Sequence, residues 1–224
     1  MTLTTDPLRV DIVSDVVCPW CAIGYFQLAN ASAETGIPVE VHWHPFELNP
    51  HMAEEGENLQ EHLAAKYGTT PNGSREARER LTAMGAALGF TFDYADDMRM
   101  VNTFRAHQLI DWADDQGRGH EMKLALFSAF FTRRENLNDL HVLGDVAAGA
   151  GFDRDAALAM LETGEKADLV RQKEQFWTSR GITGVPAMIF DRQNLVTGAQ
   201  GEENYGRILQ HLIATRETEA APAF

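Results

Sequence analysis

The residues best suited to chemistry are the two cysteines of this 224-residue chain, Cys18 and Cys21, which are separated by Pro19 and Trp20. Proline at the second position of this motif suits the first turn of a helix, where a backbone N–H would have no partner. The amides of that turn and the helix dipole favour a thiolate at Cys18, lowering its pKa from about 8.5. Cys21 lies one turn later on the same face, so it can attack a mixed disulfide formed at Cys18.

This spacing predicts a redox-active dithiol. Cys18 is expected to be the more exposed nucleophile, and Cys21 the more buried thiol that resolves the intermediate. Pro19 and Trp20 are expected to tune the redox potential and the surface shape of the pair. Asp15, three residues before Cys18, is predicted to accept or relay a proton during exchange, with an ordinary solvated carboxylate as the alternative.

Two other interpretations of the cysteine pair remain open. A purely structural disulfide would contribute little, because closing a loop of roughly four residues stabilises by about 2 kcal/mol, against about 4.7 kcal/mol for ~100 residues. A zinc site would need two further ligands. His42 and His44 share one face of a predicted strand but have no independent reason to face Cys18. We therefore favour redox chemistry and expect no metal.

The elements that must position the cysteines form a β-α-β unit. Residues 9–17 are rich in β-branched side chains and predict a buried strand, which the cysteine motif follows directly. A helix is predicted through about residue 33, ended by Gly36, and residues 39–43 alternate as a half-buried strand does. Such a crossover makes the two strands parallel and puts Cys18 at the carboxyl edge of the sheet.

The rest of the chain divides into a helical block and a closing β-β-α unit. Residues 51–180 show helical periodicity, which predicts five to seven helices and no convincing strand. Residues 187–190 and 195–197 predict a hairpin, and residues 202–215 a closing helix with one apolar face. Residues 216–224 are predicted to be a disordered tail.

This order of elements resembles the thioredoxin fold, with Cys-x-x-Cys opening the first helix and Val-Pro preceding the third strand. The long helical block resembles the DsbA-type branch, and the strings SDVVCPWCAIG, HWHPFELNP and GITGVPAMIF resemble its FrnE-like members. The resemblance implies an α/β, thioredoxin-like fold with a large all-helical insertion. Residues 1–50 and 181–215 would form the discontinuous thioredoxin-like domain, and residues 51–180 the insertion.

The resemblance also implies substrate-binding residues. A cis Val185–Pro186 bond would lie beside the dithiol, and the backbone of Val185 would pair with an extended substrate segment. The string from Asn102 to His107 supplies Asn102, Arg105 and His107 as further residues expected to line the substrate cleft.

The implied activity is thiol–disulfide exchange with thiol- or disulfide-containing proteins or peptides. No nucleotide-binding loop is visible, so no cofactor is expected beyond the redox-active disulfide, with glutathione as a candidate redox partner. One alternative is a glutathione-dependent isomerase or transferase of the 2-hydroxychromene-2-carboxylate isomerase and kappa classes, which use a serine where this chain has Cys18. Another is a redox-switched binding protein or holdase.

Charge and hydropathy narrow the partners. The net charge is −14, with 33 acidic against 19 basic residues, which argues against nucleic acid and anionic membranes. No apolar run approaches the ~20 residues that span a bilayer. Residues 1–10 lack the pattern of a secretory signal, so the expected location is cytoplasmic. The oligomeric state is left open.

Overall fold

The chain opens with the β-α-β unit that the sequence predicts. In the computed structural model, which describes residues 6–220 and only the backbone of 217–220, strand β1 (Leu8–Ser14) pairs in parallel with strand β2 (Val39–Pro45). Helix α1 (Pro19–Thr35) connects them. It begins with Pro19 in its first turn and ends at Gly36, whose φ of 69° is the left-handed conformation that a Cβ disfavours. The crossover prediction is confirmed.

The insertion contains seven helices and one short sheet among the described residues. Strand β3 (Glu57–Asn58) pairs with strand β4 (Arg99–Met100), so the expectation of an all-helical insertion is wrong. The Arg99 guanidinium donates to the carbonyl oxygens of Glu55 and Gly56, which fixes this pairing although each strand has only two residues. The helices are α2 (Leu59–Tyr67), α3 (Pro71–Ala87), α4 (Phe104–Asp114), α5 (Gly119–Phe127), α6 (Leu140–Gly149), α7 (Arg154–Thr163) and α8 (Ala167–Thr178), with a π-helical turn (Ser128–Thr132) after α5.

The chain then returns to the main sheet. Strand β5 (Ala187–Phe190) runs antiparallel to β1, and strand β6 (Asn194–Thr197) pairs with β5, which confirms the predicted hairpin. The sheet order is β2-β1-β5-β6. The Val185–Pro186 peptide bond that leads into β5 is cis.

Helix α9 (Glu202–Ala220) closes the fold and is longer than the sequence predicts. Residues 216–220 are helical, so the expectation of a disordered tail is wrong for them, while residues 221–224 lie outside the described part. The Arg216 guanidinium pairs with the Asp191 carboxylate and also reaches the Asp6 carbonyl oxygen. These contacts attach the last turns of α9 to the end of the sheet.

Two parts of the core meet at the start of α1. One apolar cluster joins β1 to α1 and α9 through residues such as Ile12, Leu28 and Leu209. The larger cluster contains both cysteines together with side chains from the insertion, among them Phe90 and Phe127. The insertion therefore packs against the dithiol instead of forming a separate core.

Within residues 6–220, no helix is both long enough and apolar enough to cross a bilayer.

Candidate active site

The dithiol lies where β1 gives way to α1. Cys18 occupies the N-cap position of the helix, and the Cys21 N–H donates to the Cys18 carbonyl oxygen at 3.1 Å. Both cysteines are free thiols, with exposed fractions of 3% for Cys18 and 0% for Cys21. Cys18 is the more exposed of the two, as the sequence predicts, but the insertion packs against it and leaves only a small opening. Trp20, next to it in the chain, is 47% exposed.

The two thiols share a hydrogen bond, so their proton affinities are linked. The bond to the Cys21 side chain and burial raise the pKa of the Cys18 thiol well above its ordinary value, although the Cys21 backbone N–H acts in the opposite direction. Burial also disfavours a Cys21 thiolate, but the hydrogen bond from Cys18, the charge of Lys123 and the Ser14 hydroxyl outweigh it and lower the pKa of Cys21. The pair therefore loses its first proton readily and its second with difficulty.

This result corrects the expectation that the helix start alone makes Cys18 the acidic thiol. The amide of the first turn has the predicted effect, but it is weaker than the thiol–thiol bond and burial. Lys123 and Ser14 favour negative charge on Cys21. Because the two sulfurs are hydrogen-bonded, moving one proton between them transfers the thiolate to Cys18.

Asp15 is completely buried next to the pair, and its carbonyl oxygen accepts from the Cys18 N–H at 3.3 Å. The Leu48 N–H donates to Asp15 Oδ2 at 2.7 Å, and His107 Nε2 lies 3.3 Å from Oδ1. Burial would raise the pKa of Asp15, but the contact with His107, the Leu48 N–H and the charge of Lys123 together hold it below its ordinary value. Oδ1 has no well-aligned hydrogen bond within the described structure, so it is available to accept a proton.

The insertion supplies a buried cation to the same side. Lys123 on α5 is 1% exposed, and its Nζ lies 3.4 Å from the Ser14 carbonyl oxygen. Lys123 Nζ lies 5.2 Å from the centre of the Trp43 ring and 4.9 Å from the centre of the Phe127 ring. Burial lowers the pKa of Lys123 to about 8, against the opposing charges of Cys21 and Asp15.

The sequence-based prediction that His107 lines the substrate cleft is wrong, because the side chain is buried. It is 3% exposed, and its Nε2–H donates to the Phe46 carbonyl oxygen at 3.1 Å while facing Asp15. This position is fixed because α4, which carries His107, packs in the core that surrounds the dithiol. His107 therefore belongs to the buried, charged side of the site.

Asn102 and Arg105 hold the insertion together. The Asn102 side chain accepts from the Phe104 N–H and donates to the Met52 carbonyl oxygen. Arg105 donates to the backbone and side chain of Asn138, and its guanidinium pairs with Glu54 at 3.6 Å. Their contact with substrate stays a prediction.

On the other side of the pair, Cys18 meets the Val185–Pro186 loop. Cys18 Sγ lies 3.7 Å from the Val185 carbonyl oxygen, within hydrogen-bonding distance for a thiol. A surface cavity of about 350 Å³ adjoins this loop and is lined by residues 181–186 together with Leu195, Thr197 and Gly198. The structure thus brings together Cys18, Val185 and Pro186, as the resemblance implies.

Sequence reasoning missed Lys123 and Ser14. Lys123 stands in the predominantly apolar run MKLALFSAFF, and a lone lysine in a helix is ordinarily read as solvent-exposed. Ser14 ends a strand, and nothing in its neighbourhood marks it as a partner of Cys21. Within residues 6–220, no group of three or more His, Cys, Asp or Glu side chains is placed to hold a metal ion.

Comparison with known proteins gives a consistent result. The model of the DSBA-like thioredoxin domain matches residues 9–210. A probable DsbA oxidoreductase from Streptomyces coelicolor is 32% identical with a TM-score of 0.86, covering 97% of this chain and 93% of that one. A 2-hydroxychromene-2-carboxylate isomerase is 12% identical with a TM-score of 0.70, covering 95% of this chain and all of that one.

A further structure, the cytosolic disulfide reductase DsbM from Pseudomonas aeruginosa with GSH, is 16% identical with a TM-score of 0.63. The match covers 92% of this chain and all of the other. At such identities, the isomerase and DsbM share the fold with this chain and establish no activity for it.

Proposed function

The chain belongs to the DSBA-like thioredoxin domain family, and from that premise we propose that it exchanges disulfides with protein or peptide substrates through Cys18 and Cys21. The observation that carries the proposal is the arrangement of the two hydrogen-bonded thiols. A loop carbonyl oxygen lies beside Cys18, and the buried Asp15 carboxylate and Lys123 ammonium act on the thiol pair through their charges. A structural cysteine pair would need neither neighbour.

In the reducing direction, the Cys18 thiolate attacks one sulfur of a substrate disulfide. The substrate S–S bond breaks, and the released sulfur takes up a proton. Cys21 then gives its proton to Asp15 and attacks Cys18 Sγ, which breaks the mixed disulfide and releases the second substrate sulfur to take up that proton. Two electrons pass from the dithiol to the substrate, and a Cys18–Cys21 disulfide remains. The same steps reversed oxidise a substrate dithiol.

Each neighbouring group has a distinct task in this proposal. Lys123 stabilises the thiolate on Cys21 through its charge, which acts at short range in a buried environment. Asp15 accepts the Cys21 proton at Oδ1, which has no well-aligned hydrogen bond although His107 lies near it. The Val185 backbone holds the substrate chain beside Cys18, and the adjoining cavity accommodates neighbouring side chains. Pro19 and Trp20 shape the rim between the sulfurs.

We further propose glutathione as the redox partner that regenerates the dithiol, in the cytoplasm. Support comes from the Pseudomonas aeruginosa neighbour, which is described as cytosolic and was determined with GSH. The alternative of a glutathione-dependent isomerase is supported by the fold shared with the 2-hydroxychromene-2-carboxylate isomerase. Against it stands the second thiol, Cys21, because activation of glutathione by a single residue would not require a resolving partner.

The test compares wild type with Cys18→Ser and Cys21→Ser in insulin reduction and in reoxidation of scrambled ribonuclease. Cys18→Ser should lose at least about a thousandfold in rate because the attacking sulfur is gone. Cys21→Ser should accumulate a mixed disulfide that is visible by mass spectrometry. If neither reaction depends on Cys18, the proposal fails. Turnover of 2-hydroxychromene-2-carboxylate with glutathione, independent of Cys21, would then identify the isomerase alternative.

A further inference from the structure

A buried tyrosine of α9 reaches the loop that follows β6. Tyr205 is 0% exposed, and its hydroxyl donates to the Gly198 carbonyl oxygen at 3.1 Å. Burial raises the pKa of Tyr205 to about 12, so the hydroxyl remains a donor at physiological pH. A buried tyrosine hydroxyl needs such a partner, and here the partner is a backbone atom close to the proposed substrate loop.

The same glycine is bonded to that substrate loop. The Gly198 N–H donates to the Pro186 carbonyl oxygen at 2.8 Å, and the carbonyl of the preceding residue, Val185, faces Cys18 Sγ. Gly198 has a φ of 76°, a conformation that a side chain would strain. Three hydrogen-bonded contacts therefore lead in order from the Tyr205 hydroxyl to the Cys18 sulfur.

The helix that carries the dithiol joins this junction at a residue without a side chain. A Cβ added to Gly24 would lie 3.1 Å from Met188 Cε, and 3.5 Å from both Pro186 Cγ and the Tyr205 hydroxyl oxygen. Nearby, Gln27 Oε1 on α1 accepts from the Gly201 N–H at 2.9 Å. Helix α1, the substrate loop and α9 are thus in contact around Tyr205.

We propose that Tyr205 is a positioning residue that fixes the Val185 carbonyl against Cys18, acting through Gly198 and Pro186. The proposal rests on the proposed disulfide exchange, because Val185 is where the substrate backbone would bind. Removing the hydroxyl leaves the Gly198 carbonyl without its donor and lets the loop move, which weakens substrate capture. The sulfur chemistry should change little, since Asp15 and Lys123 are held by other partners, the Leu48 N–H and the Ser14 carbonyl oxygen.

The experiment compares Tyr205→Phe with Tyr25→Phe. Tyr25 is the matched control because its hydroxyl also makes one hydrogen bond, to His120 Nε2 at 3.0 Å, but does not contact the loop. Tyr205→Phe should raise KM for a disulfide-bonded peptide about fivefold, the loss expected for one hydrogen bond, with kcat within about twofold of wild type. Hydrogen exchange at the Gly198 amide should become at least about tenfold faster. Tyr25→Phe should show neither change.

A purely structural role for Tyr205 would lower the thermal stability of Tyr205→Phe without separating KM from kcat. The proposal is overturned if Gly198 exchange is unchanged in Tyr205→Phe, or if Tyr25→Phe raises KM equally. If wild type reduces no disulfide at all, the proposed function alone fails, and Gly198 exchange still decides the positioning role. Should Tyr205→Phe fold poorly, Gly24→Ala disturbs the same junction from α1 and is expected to give the same two readouts.

Discussion

The dithiol has two kinds of neighbour: buried ionisable side chains on one side, and the backbone of a loop on the other. One side, the ionisable side, consists of three buried side chains, Asp15, His107 and Lys123, of which Lys123 favours a thiolate on Cys21. On the Cys18 side, the close contact is a backbone carbonyl of the Val185–Pro186 loop, next to an open cavity. The first side is arranged to control protons and charge, and the second to receive another chain.

This difference follows from what each side must do. Charges buried in a medium of low polarity act strongly on a nearby thiol, so a few side chains can set its proton affinity. A surface that captures varied polypeptides gains more from backbone hydrogen bonds, which do not depend on the sequence of the partner. Variants on the two sides should therefore separate thiol chemistry from substrate affinity.

The largest effect is expected from Asp15→Asn. Without a carboxylate to accept the Cys21 proton, resolution of the mixed disulfide should slow by about a hundredfold, at the low end of general base catalysis. Rapid mixing with a fluorescent peptide disulfide measures this step directly. Asp11→Asn is the matched control, because Asp11 is a buried aspartate of β1, four residues before Asp15, whose partners are Arg9 and His44. Equal rates for wild type and Asp15→Asn would remove Asp15 from the mechanism.

The next effect concerns the cation. Lys123→Met should raise the first pKa of the thiol pair by about one unit, which makes alkylation at pH 7 about tenfold slower. Since the pKa of Lys123 is about 8, its charge supports the thiolate below that pH and is lost above it. The difference from wild type should therefore shrink as pH rises past 8.

Thiolate absorbance against pH measures the pKa shift of the Lys123 variant. Lys173→Met is the control, because Lys173 pairs with Asp111 on α4 at a partly exposed site. A thiol pKa that stays at the wild-type value in Lys123→Met would show that burial and the thiol–thiol bond set it alone.

A smaller effect is expected on the substrate side from Trp20→Ala. Truncating this half-exposed ring removes apolar contact area, so KM for polypeptide disulfides should rise about three- to tenfold. The thiol pKa should move less than in Lys123→Met, because Trp20 carries no charge. Phe176→Ala controls for loss of an exposed aromatic ring, since Phe176 lies on α8 and is 45% exposed. Equal KM changes in the two variants would contradict a substrate surface at Trp20.

The smallest effect tests how far the ionisable side extends. Glu47 follows Phe46, whose carbonyl oxygen accepts from His107. Burial and the charge of Glu174 raise the pKa of Glu47 to about 7. The folded chain therefore holds a proton that the unfolded chain has lost above about 4.5. This stabilisation is complete below that pH and is lost as pH rises through 7.

Glu47→Gln should consequently flatten the dependence of unfolding free energy on pH between 5 and 7. Urea unfolding at several pH values measures it, with the exposed Glu162→Gln as control. An unchanged slope in Glu47→Gln would confine the ionisable region to Asp15, His107 and Lys123.

Much of the fold was predictable because its signals are local. The β-α-β and β-β-α units follow from residue periodicity, from Pro19 at a helix start and from Gly36 at a helix end. The β3-β4 pairing was missed because each strand has two residues and depends on the Arg99 side chain, which no periodicity reveals. The end of α9 was misplaced because Arg216 is bound by Asp191, far from it in sequence. The finer FrnE-like likeness stays a prediction.

The sequence by itself determined that two thiols stand one turn apart at the start of a helix, since that depends only on neighbouring residues. Tertiary structure decided which charges surround the pair, because Lys123 acts on Cys21 from α5 and His107 contacts Asp15 from α4. It also decided that Cys18 is nearly covered and that the Val185 carbonyl faces it. Electrostatic interactions and burial depend on distances between residues that are far apart in the chain, and only tertiary packing sets those distances.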